Sequence, residues 1–353
     1  MARIDAHTVR MVAGQCGFEL AGIAAAEPLP DGIWYQSWAQ RGLAGEMRYL
    51  TGRRARIRLD PRELLSTSGS IICVGKLYNS SAPYSTKDST PETGWISRYA
   101  WGKDYHFVLR EGLRALVDAL GVHARMRFDA KICVDTAPLL ERSYARMAGL
   151  GWIGKNTCLI HQGKGSWFFL GAVLTSLEIE PDSPPADRCG TCTRCIDACP
   201  TSAIVPRAGM DGPRWELDAR LCISYLTIEL RGSIPLGLRP GIGRHVFGCD
   251  ICQDVCPWNR KAPVETTSRF SPPSQPGGLE WMASLSNEGF GAAYASTPVW
   301  RARYRGFLRN VAVAMGNSGR KQFRTALERL AKHDEAEIAE HAHWALRKLE
   351  GPE

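Results

Sequence analysis

The segment Cys189-Gly-Thr-Cys192-Thr-Arg-Cys195-Ile-Asp-Ala-Cys199-Pro200 places four thiols at C-x₂-C-x₂-C-x₃-C-P spacing. A sparser half follows as Cys222 and then Cys249-Asp-Ile-Cys252-Gln-Asp-Val-Cys256-Pro257. Two-residue spacers turn three thiolates toward one point, while the fourth cysteine enters a helix and reaches a second point. The proline behind each fourth cysteine prevents the backbone from continuing as regular helix. Two such runs suit two [4Fe–4S] clusters, which store and pass single electrons. If the fourth cysteine is exchanged between halves, the first cluster takes Cys189, Cys192, Cys195 and Cys256. The second then takes Cys199, Cys222, Cys249 and Cys252. Zinc also accepts four thiolates, but zinc ribbons do not repeat the x₂-x₂-x₃-Pro pattern. The remaining cysteines, Cys16, Cys73, Cys133 and Cys158, are scattered. Cys73 and Cys133 sit in apolar runs and read as core residues.

These motifs fill less than a quarter of 353 residues, so the electrons have a destination elsewhere in the chain. The apolar fraction of 44% against 23% charged excludes wholesale disorder and permits a sizeable core. The hydropathy pattern predicts a helix over 4–27, a second over 33–50 and a short one over 59–65. Strands are expected at 70–78, 124–134 and 166–177, and helices at 105–119 and 137–147. Strands alternating with helices argue for an α/β domain over 1–180. Pro181, Pro184 and Pro185 open a linker into a cysteine-bearing domain over 181–265, and a second linker covers 263–276. The tail, 280–353, reads as all helix in HEAT-like pairs. It is too short for a free-standing solenoid, so it must pack on the rest of the chain.

The net charge of +8 favours a polyanionic partner. No run reaches the ~18 apolar residues of a membrane span. The start, MARIDAHTVR, carries no apolar leader segment, so a cytoplasmic location is expected. Between Arg301 and Arg324 all the charges are basic: Arg301, Arg303, Arg305, Arg309, Arg320, Lys321 and Arg324. Trp300, Tyr304 and Phe307 interleave with them. A solvated helix face would look similar, but such a pattern also suits phosphates and unpaired bases.

Several longer motifs resemble the epoxyqueuosine reductases, which are related to the corrinoid reductive dehalogenases. They are Arg98-Tyr-Ala-Trp-Gly-Lys-Asp-Tyr-His106, Val134-Asp-Thr-Ala-Pro-Leu-Leu-Glu-Arg142, Gly149-Leu-Gly-Trp-Ile-Gly-Lys-Asn156 and Cys222-Ile-Ser-Tyr-Leu-Thr-Ile-Glu229. The resemblance covers nearly the whole chain. It implies reduction of epoxyqueuosine to queuosine at the wobble base of tRNAs with GUN anticodons, the last step of queuosine synthesis. The expected layout is an N-terminal α/β cobalamin-binding domain, a ferredoxin-like two-cluster domain and a HEAT-like, tRNA-binding tail. The implied cofactors are base-off cobalamin and two [4Fe–4S] clusters. The implied partners are the anticodon stem-loops of the Tyr, His, Asp and Asn tRNAs and an external one-electron donor such as a flavodoxin or ferredoxin.

Asp135 matches the family's proton donor. Expelling an epoxide oxygen as water needs an acid, and a carboxyl serves near neutral pH only when burial raises its pKa. The apolar run before Asp135 fits burial; capping a helix near Pro138 is the alternative. Asp104-Tyr-His106 departs from the cobalt-ligating D-x-H-x-x-G pattern, because Leu109 stands where glycine is required. His106 is therefore expected to line the cofactor or substrate cavity. Lys155 and Asn156, on a glycine-rich run that is not G-x-G-x-x-G, are expected at the corrin, with Ser224, Tyr225 and Asp250. Arg58 is expected to meet a corrin amide or an RNA phosphate. Two other readings fit the motifs alone: a two-cluster electron carrier without corrin, and a corrinoid reductase acting on a small molecule.

Overall fold

The run Ser70–Leu77 forms a strand buried at every position in the computed structural model, which describes residues 4–88, 90–207, 215–267, 269–271 and 278–351. Such a strand needs cover on both faces. The N-terminal region supplies it with α1 (Ala6–Gln15), β1 (Leu20–Ala25), β2 (Ser70–Leu77), α2 (Tyr105–Ala124), β3 (Ala130–Cys133), α3 (Glu141–Met147) and β4 (Phe168–Thr175). The strand order is β1-β2-β4-β3, and every pairing is antiparallel. The α/β expectation therefore gives way to an antiparallel sheet between helices. On one face Ile72, Val74 and Val173 meet Val9 and Val12 of α1 and Leu109, Leu113 and Leu116 of α2. On the other, Ile71, Cys73, Cys133 and Leu174 meet Tyr144 and Ala145 of α3.

Boundaries differ where the chain must turn. The helix expected over 4–27 ends at Gln15 and becomes β1. The one expected over 33–50 spans Asp31–Gln40, and Gly42 and Gly45, both at positive φ, turn the chain beyond it. The strand expected from 124 begins at Ala130, and the helix expected from 137 begins at Glu141. Between them lies a tight turn that carries Asp135.

Of the short helices α4 (Arg194–Asp197), α5 (Ile223–Ile228) and α6 (Ile251–Asp254), α4 carries Cys195, α6 carries Cys252 and α5 follows Cys222. Strand His245–Phe247 pairs in parallel with Trp95–Ile96, joining this region to the N-terminal one. Of the expected linker over 263–276, residues 268 and 272–276 lie outside the described residues. The tail holds Leu279–Ser284, Asn287–Tyr294, then α7 (Arg303–Ser318), α8 (Arg324–Leu330) and α9 (Ala336–Glu350). Its core residues Phe307, Val311, Leu327 and Ile338 share one cluster with Ile96, Ile228 and Phe247. The tail thus packs on the rest, as its length requires.

Arg309 and Asn310 are buried where α7 meets α5. The Arg309 guanidinium donates to the carbonyls of Leu226, Leu230 and Gly232 at 2.7, 3.0 and 2.5 Å. The Asn310 amide donates to those of Thr227 and Val246. Burial lowers the Arg309 pKa to about 10. This corrects the expectation that Arg309 contacts RNA: its charge is spent on the end of α5. Arg309→Met keeps bulk but leaves three carbonyls without that donor. It should cost about 3 kcal/mol, lowering the melting temperature of the cluster-loaded protein, while exposed Arg303→Ala should leave it unchanged. Equal melting temperatures would show that the buried charge is dispensable.

Candidate functional site

Two tight bonds shape the turn after β3: Thr136 N–H donates to Val134 O at 2.5 Å, and Leu139 N–H to Ala137 O at 2.8 Å. Asp135 adopts φ +48°, a region that Asp tolerates better than most residues. It does not cap α3. The relation is reversed: Glu141, the first residue of α3, accepts the Asp135 N–H on Oε1 at 2.7 Å. The capping alternative for Asp135 is thereby overturned.

The start of α2 faces this turn. Asp104, its N-cap, accepts both the His106 backbone N–H at 2.9 Å and His106 Nδ1 at 2.7 Å. His106 Nε2 lies 3.3 Å from Asp135 Oδ2. An imidazole between two carboxylates is most stable with both nitrogens protonated. Burial acts against that charge, but the hydrogen bonds and charges of Asp104 and Asp135 outweigh it and raise the His106 pKa to about 9. The Tyr105 ring stacks on His106 at 4.3 Å and on Phe169 at 4.5 Å, fixing the imidazole.

Asp135 departs from expectation. Burial raises its pKa, yet the hydrogen bond and charge of His106, the Tyr105 hydroxyl and Arg301 together hold it below the usual carboxylate value. Its side chain remains 54% exposed. Asp135 is thus held down where a raised pKa was expected, and the raised group beside it is His106. Arg301 reaches this neighbourhood from the tail, bound through Nε to Glu229 Oε1 at 2.5 Å and lying 5.3 Å from the Tyr49 ring.

Cys189, Cys192, Cys195 and Cys256 line one cavity of about 240 Å³ with Lys155 and Trp258. Burial, then Cys256 and Cys189, push the Cys195 thiol up to about 12. Cys222, Cys249 and Cys199 form a second group: burial raises the Cys249 thiol, and Cys222 and Cys199 add to it. Cys249 and Cys222 likewise act on Cys252. Thiolates crowded in this way suit a polycationic cluster, which offsets their repulsion. The thiol of Cys158, unassigned by spacing, influences that of Cys252, whose pKa it raises together with burial.

Several expected corrin contacts serve the protein instead. Asp250 is 1% exposed and accepts Trp95 Nε1, Ser97 Oγ and Arg98 N–H, holding that segment. The Tyr225 hydroxyl accepts the Glu46 N–H at 2.9 Å. Buried Arg58 donates to the carbonyls of Tyr49 and Arg54. These three are corrected to inward-facing structural roles. Lys155 Nζ donates to Gly190 O and Cys192 O, bracing the first cysteine loop. Asn156 is buried, accepting the Cys158 N–H and donating to Cys252 O. Burial raises the Cys222 thiol pKa, and the Ser224 backbone and hydroxyl act against that rise. Gly151 brings two backbones together, since a Cβ there would lie 2.2 Å from Ile160 O.

The basic tail divides. Arg301, Arg303 and Arg305 crowd Arg231, whose charge burial and these neighbours disfavour. Acids from elsewhere meet the others: Arg320 pairs with Glu92, and Arg324 with Glu328 and Glu350. Arg305 approaches Glu335 and Glu337. Phe307 is core and cannot stack a base, whereas Trp300 remains exposed. Spacing alone gave no signal for Arg231 or Tyr49. Glu141 and Glu229 stood in the motifs without roles.

Residues 58–136 match the family model described as epoxyqueuosine reductase QueG, DUF1730. Residues 188–259 match the 4Fe-4S double cluster binding domain. The chain is 38% identical to an epoxyqueuosine reductase of Xanthomonas campestris pv. campestris over 97% of this chain and 95% of that one. It superposes with a TM-score of 0.86 and 29% identity on an epoxyqueuosine reductase crystallised with a tRNA-Tyr epoxyqueuosine-modified stem loop, covering 97% of this chain and 89% of that one. A Bacillus subtilis epoxyqueuosine reductase with its catalytic aspartate loop swung out of the active site matches at 0.84 and 28% identity, covering 97% and 90%. No helix among the described residues is long and apolar enough to cross a membrane.

Proposed function

The chain belongs to the epoxyqueuosine reductase family, and from that premise we propose how its residues reduce epoxyqueuosine to queuosine. The reaction takes two electrons and two protons, turning the epoxide into an alkene and releasing its oxygen as water. The observation that carries the proposal is the row Asp104–His106–Asp135, which sets a proton-bearing nitrogen 3.3 Å from an exposed carboxylate. His106 holds the proton at Nε2. As the epoxide oxygen meets Asp135, the first proton passes from Nε2 to Oδ2 and on to that oxygen, and the second, which completes the water, comes from solvent through the exposed Asp135 carboxyl. Asp104 stabilises the imidazolium until transfer, and the Tyr105 stack keeps it aimed.

Cys189, Cys192, Cys195 and Cys256 hold the first cluster, and Cys199, Cys222, Cys249 and Cys252 the second. Beside the first lie Lys155, Arg188 and Arg194, a basic surround that suits an acidic donor such as a flavodoxin or ferredoxin. Cobalamin would be held beside Asp135 and His106, whose stacked neighbour Tyr105 packs edge-on against Tyr99. Cobalamin bound there supplies a low-potential cobalt centre able to deliver electrons to the epoxide carbon. The setting is the cytoplasm, and the substrates are the Tyr, His, Asp and Asn tRNAs.

Arg231, Arg303 and Arg305 track the phosphates of the anticodon stem-loop. Reversing all three to Glu should reduce the salt dependence of stem-loop binding, log K against log salt, by a slope of about 2. Cluster spectra should not change. An unchanged slope would place the RNA elsewhere. The reaction itself is tested with anaerobically reconstituted protein, cobalamin, a chemical reductant and epoxyqueuosine-containing tRNA, followed by nucleoside mass spectrometry. Queuosine, lighter by one oxygen, is expected. Reducible clusters with no conversion and no corrin retention would favour the electron-carrier reading.

A further inference from the structure

We infer that Glu141 is the positioning residue of the proton-delivering turn: its side-chain oxygen holds the Asp135 peptide in the conformation that presents the Asp135 carboxyl to His106. This rests on the reading of Asp135 as the group that protonates the epoxide.

The turn does not hold itself in place. Its bonds from Thr136 to Val134 and from Leu139 to Ala137 each span only two residues, so they curl the chain without fixing it to the fold. Asp135 sits at φ +48°, a left-handed conformation that L-residues disfavour and that is relieved if the turn swings away. Among the described residues, one side chain outside the turn hydrogen-bonds the Asp135 N–H: Glu141, at 2.7 Å.

Glu141 stands on a rigid post. Its helix α3 is pinned by Tyr144, fully buried with its hydroxyl on Glu27 O at 2.8 Å. Arg142 donates to Thr157 O at 2.5 Å and Arg146 to Asp31 at 3.1 Å. The bond from Glu141 therefore transmits the position of the sheet-packed helix to the acid.

The Glu141 carboxyl accepts the Asp135 N–H, and the charges of Asp135, Arg142 and His106 act on it, as it acts on the Tyr105, Cys73 and Cys133 groups. Burial first, then the Asp135 carboxylate, raise its pKa to about 8. Near neutral pH it can therefore carry a proton, and its second oxygen still accepts the Asp135 N–H. An acceptor, not a charge, is what the position needs. The Bacillus subtilis relative with its catalytic aspartate loop swung out shows that a loop of this kind has a second position. In this chain Glu141 biases the turn inward.

The test compares Glu141→Ala with Glu141→Gln in the cluster- and cobalamin-loaded enzyme. Ala removes the acceptor, and Gln keeps an acceptor oxygen without the charge. In Glu141→Ala, kcat should fall about 10- to 100-fold, the scale of a misplaced reacting group. KM, stem-loop affinity and cluster absorbance should stay as in the wild type. Hydrogen–deuterium exchange of the peptide spanning 134–140 should quicken, about 10-fold at the Asp135 amide. Glu141→Gln should restore both readouts to within about 3-fold of wild type. Wild-type kcat and exchange in Glu141→Ala would overturn the inference, and so would a Glu141→Gln as impaired as Ala. If Glu141→Ala loses its clusters, Glu141→Asp, which withdraws the carboxylate by one methylene, replaces it with the same expected loss. Failure of the acid reading is separable: an active Asp135→Asn would reject Asp135 as the proton carrier, while the exchange measurement would still report whether Glu141 holds the turn.

Discussion

Asp135→Asn is expected to give a folded, cluster-loaded, RNA-binding protein whose turnover is lower by about 10²-fold or more, the scale of a lost proton-transfer group. Asn keeps the size of the side chain and the backbone N–H that donates to Glu141, so the turn should stay in place. It cannot relay a proton to the epoxide oxygen. The source of that proton predicts a pH profile. Burial opposes the His106 charge, but Asp104 and Asp135 raise its pKa to about 9. Wild-type turnover should therefore fall as pH rises through about 9, because the proton that His106 loses is the one to be delivered. Removing one of its two carboxylates should move the alkaline limb of the residual activity to lower pH. Near-wild-type turnover of Asp135→Asn at neutral pH would exclude Asp135 from the mechanism. A wild-type profile flat beyond about pH 10 would exclude His106 as the proton source.

Cys256→Ser should lose the first cluster and keep the second. Cys256 is 8% exposed and shares its cavity with Cys189, Cys192 and Cys195, although Cys249 and Cys252 are its sequence neighbours. A serine oxygen is a poor soft-metal ligand. Iron content should drop from about eight to about four per chain, and reduction by a protein electron donor should fail even where a small chemical reductant still reaches the second cluster. An unchanged iron content would overturn the assignment of Cys256 to this group. Stoichiometric zinc in the wild-type protein would overturn the iron–sulfur reading altogether.

The sequence by itself marked the double-cluster region, because ligand spacing is local: one full x₂-x₂-x₃-Pro run and a sparser second half lie inside the 188–259 match, and the fold brings Cys256 to the cavity of Cys189, Cys192 and Cys195. It also determined the buried strand at 70–77 and the helical, docked tail, since hydropathy periodicity and length are properties of the chain alone. The long motifs carried the family, and with it Asp135. What tertiary structure decided was the state and direction of individual side chains. Arg309 and Arg303 look alike along the sequence, yet one is buried against α5 and the other faces solvent. Asp250 and Tyr225 neighbour cysteine ligands but point into the fold. The Asp135 carboxyl, expected to be raised, is held low by groups that meet it through space, while its neighbour His106 is raised. The physical reason is common to all three. Exposure, hydrogen bonding and pKa are set by groups that meet through space, and Asp104, His106 and Arg301 come to the Asp135 turn from other parts of the chain, a convergence no local pattern encodes.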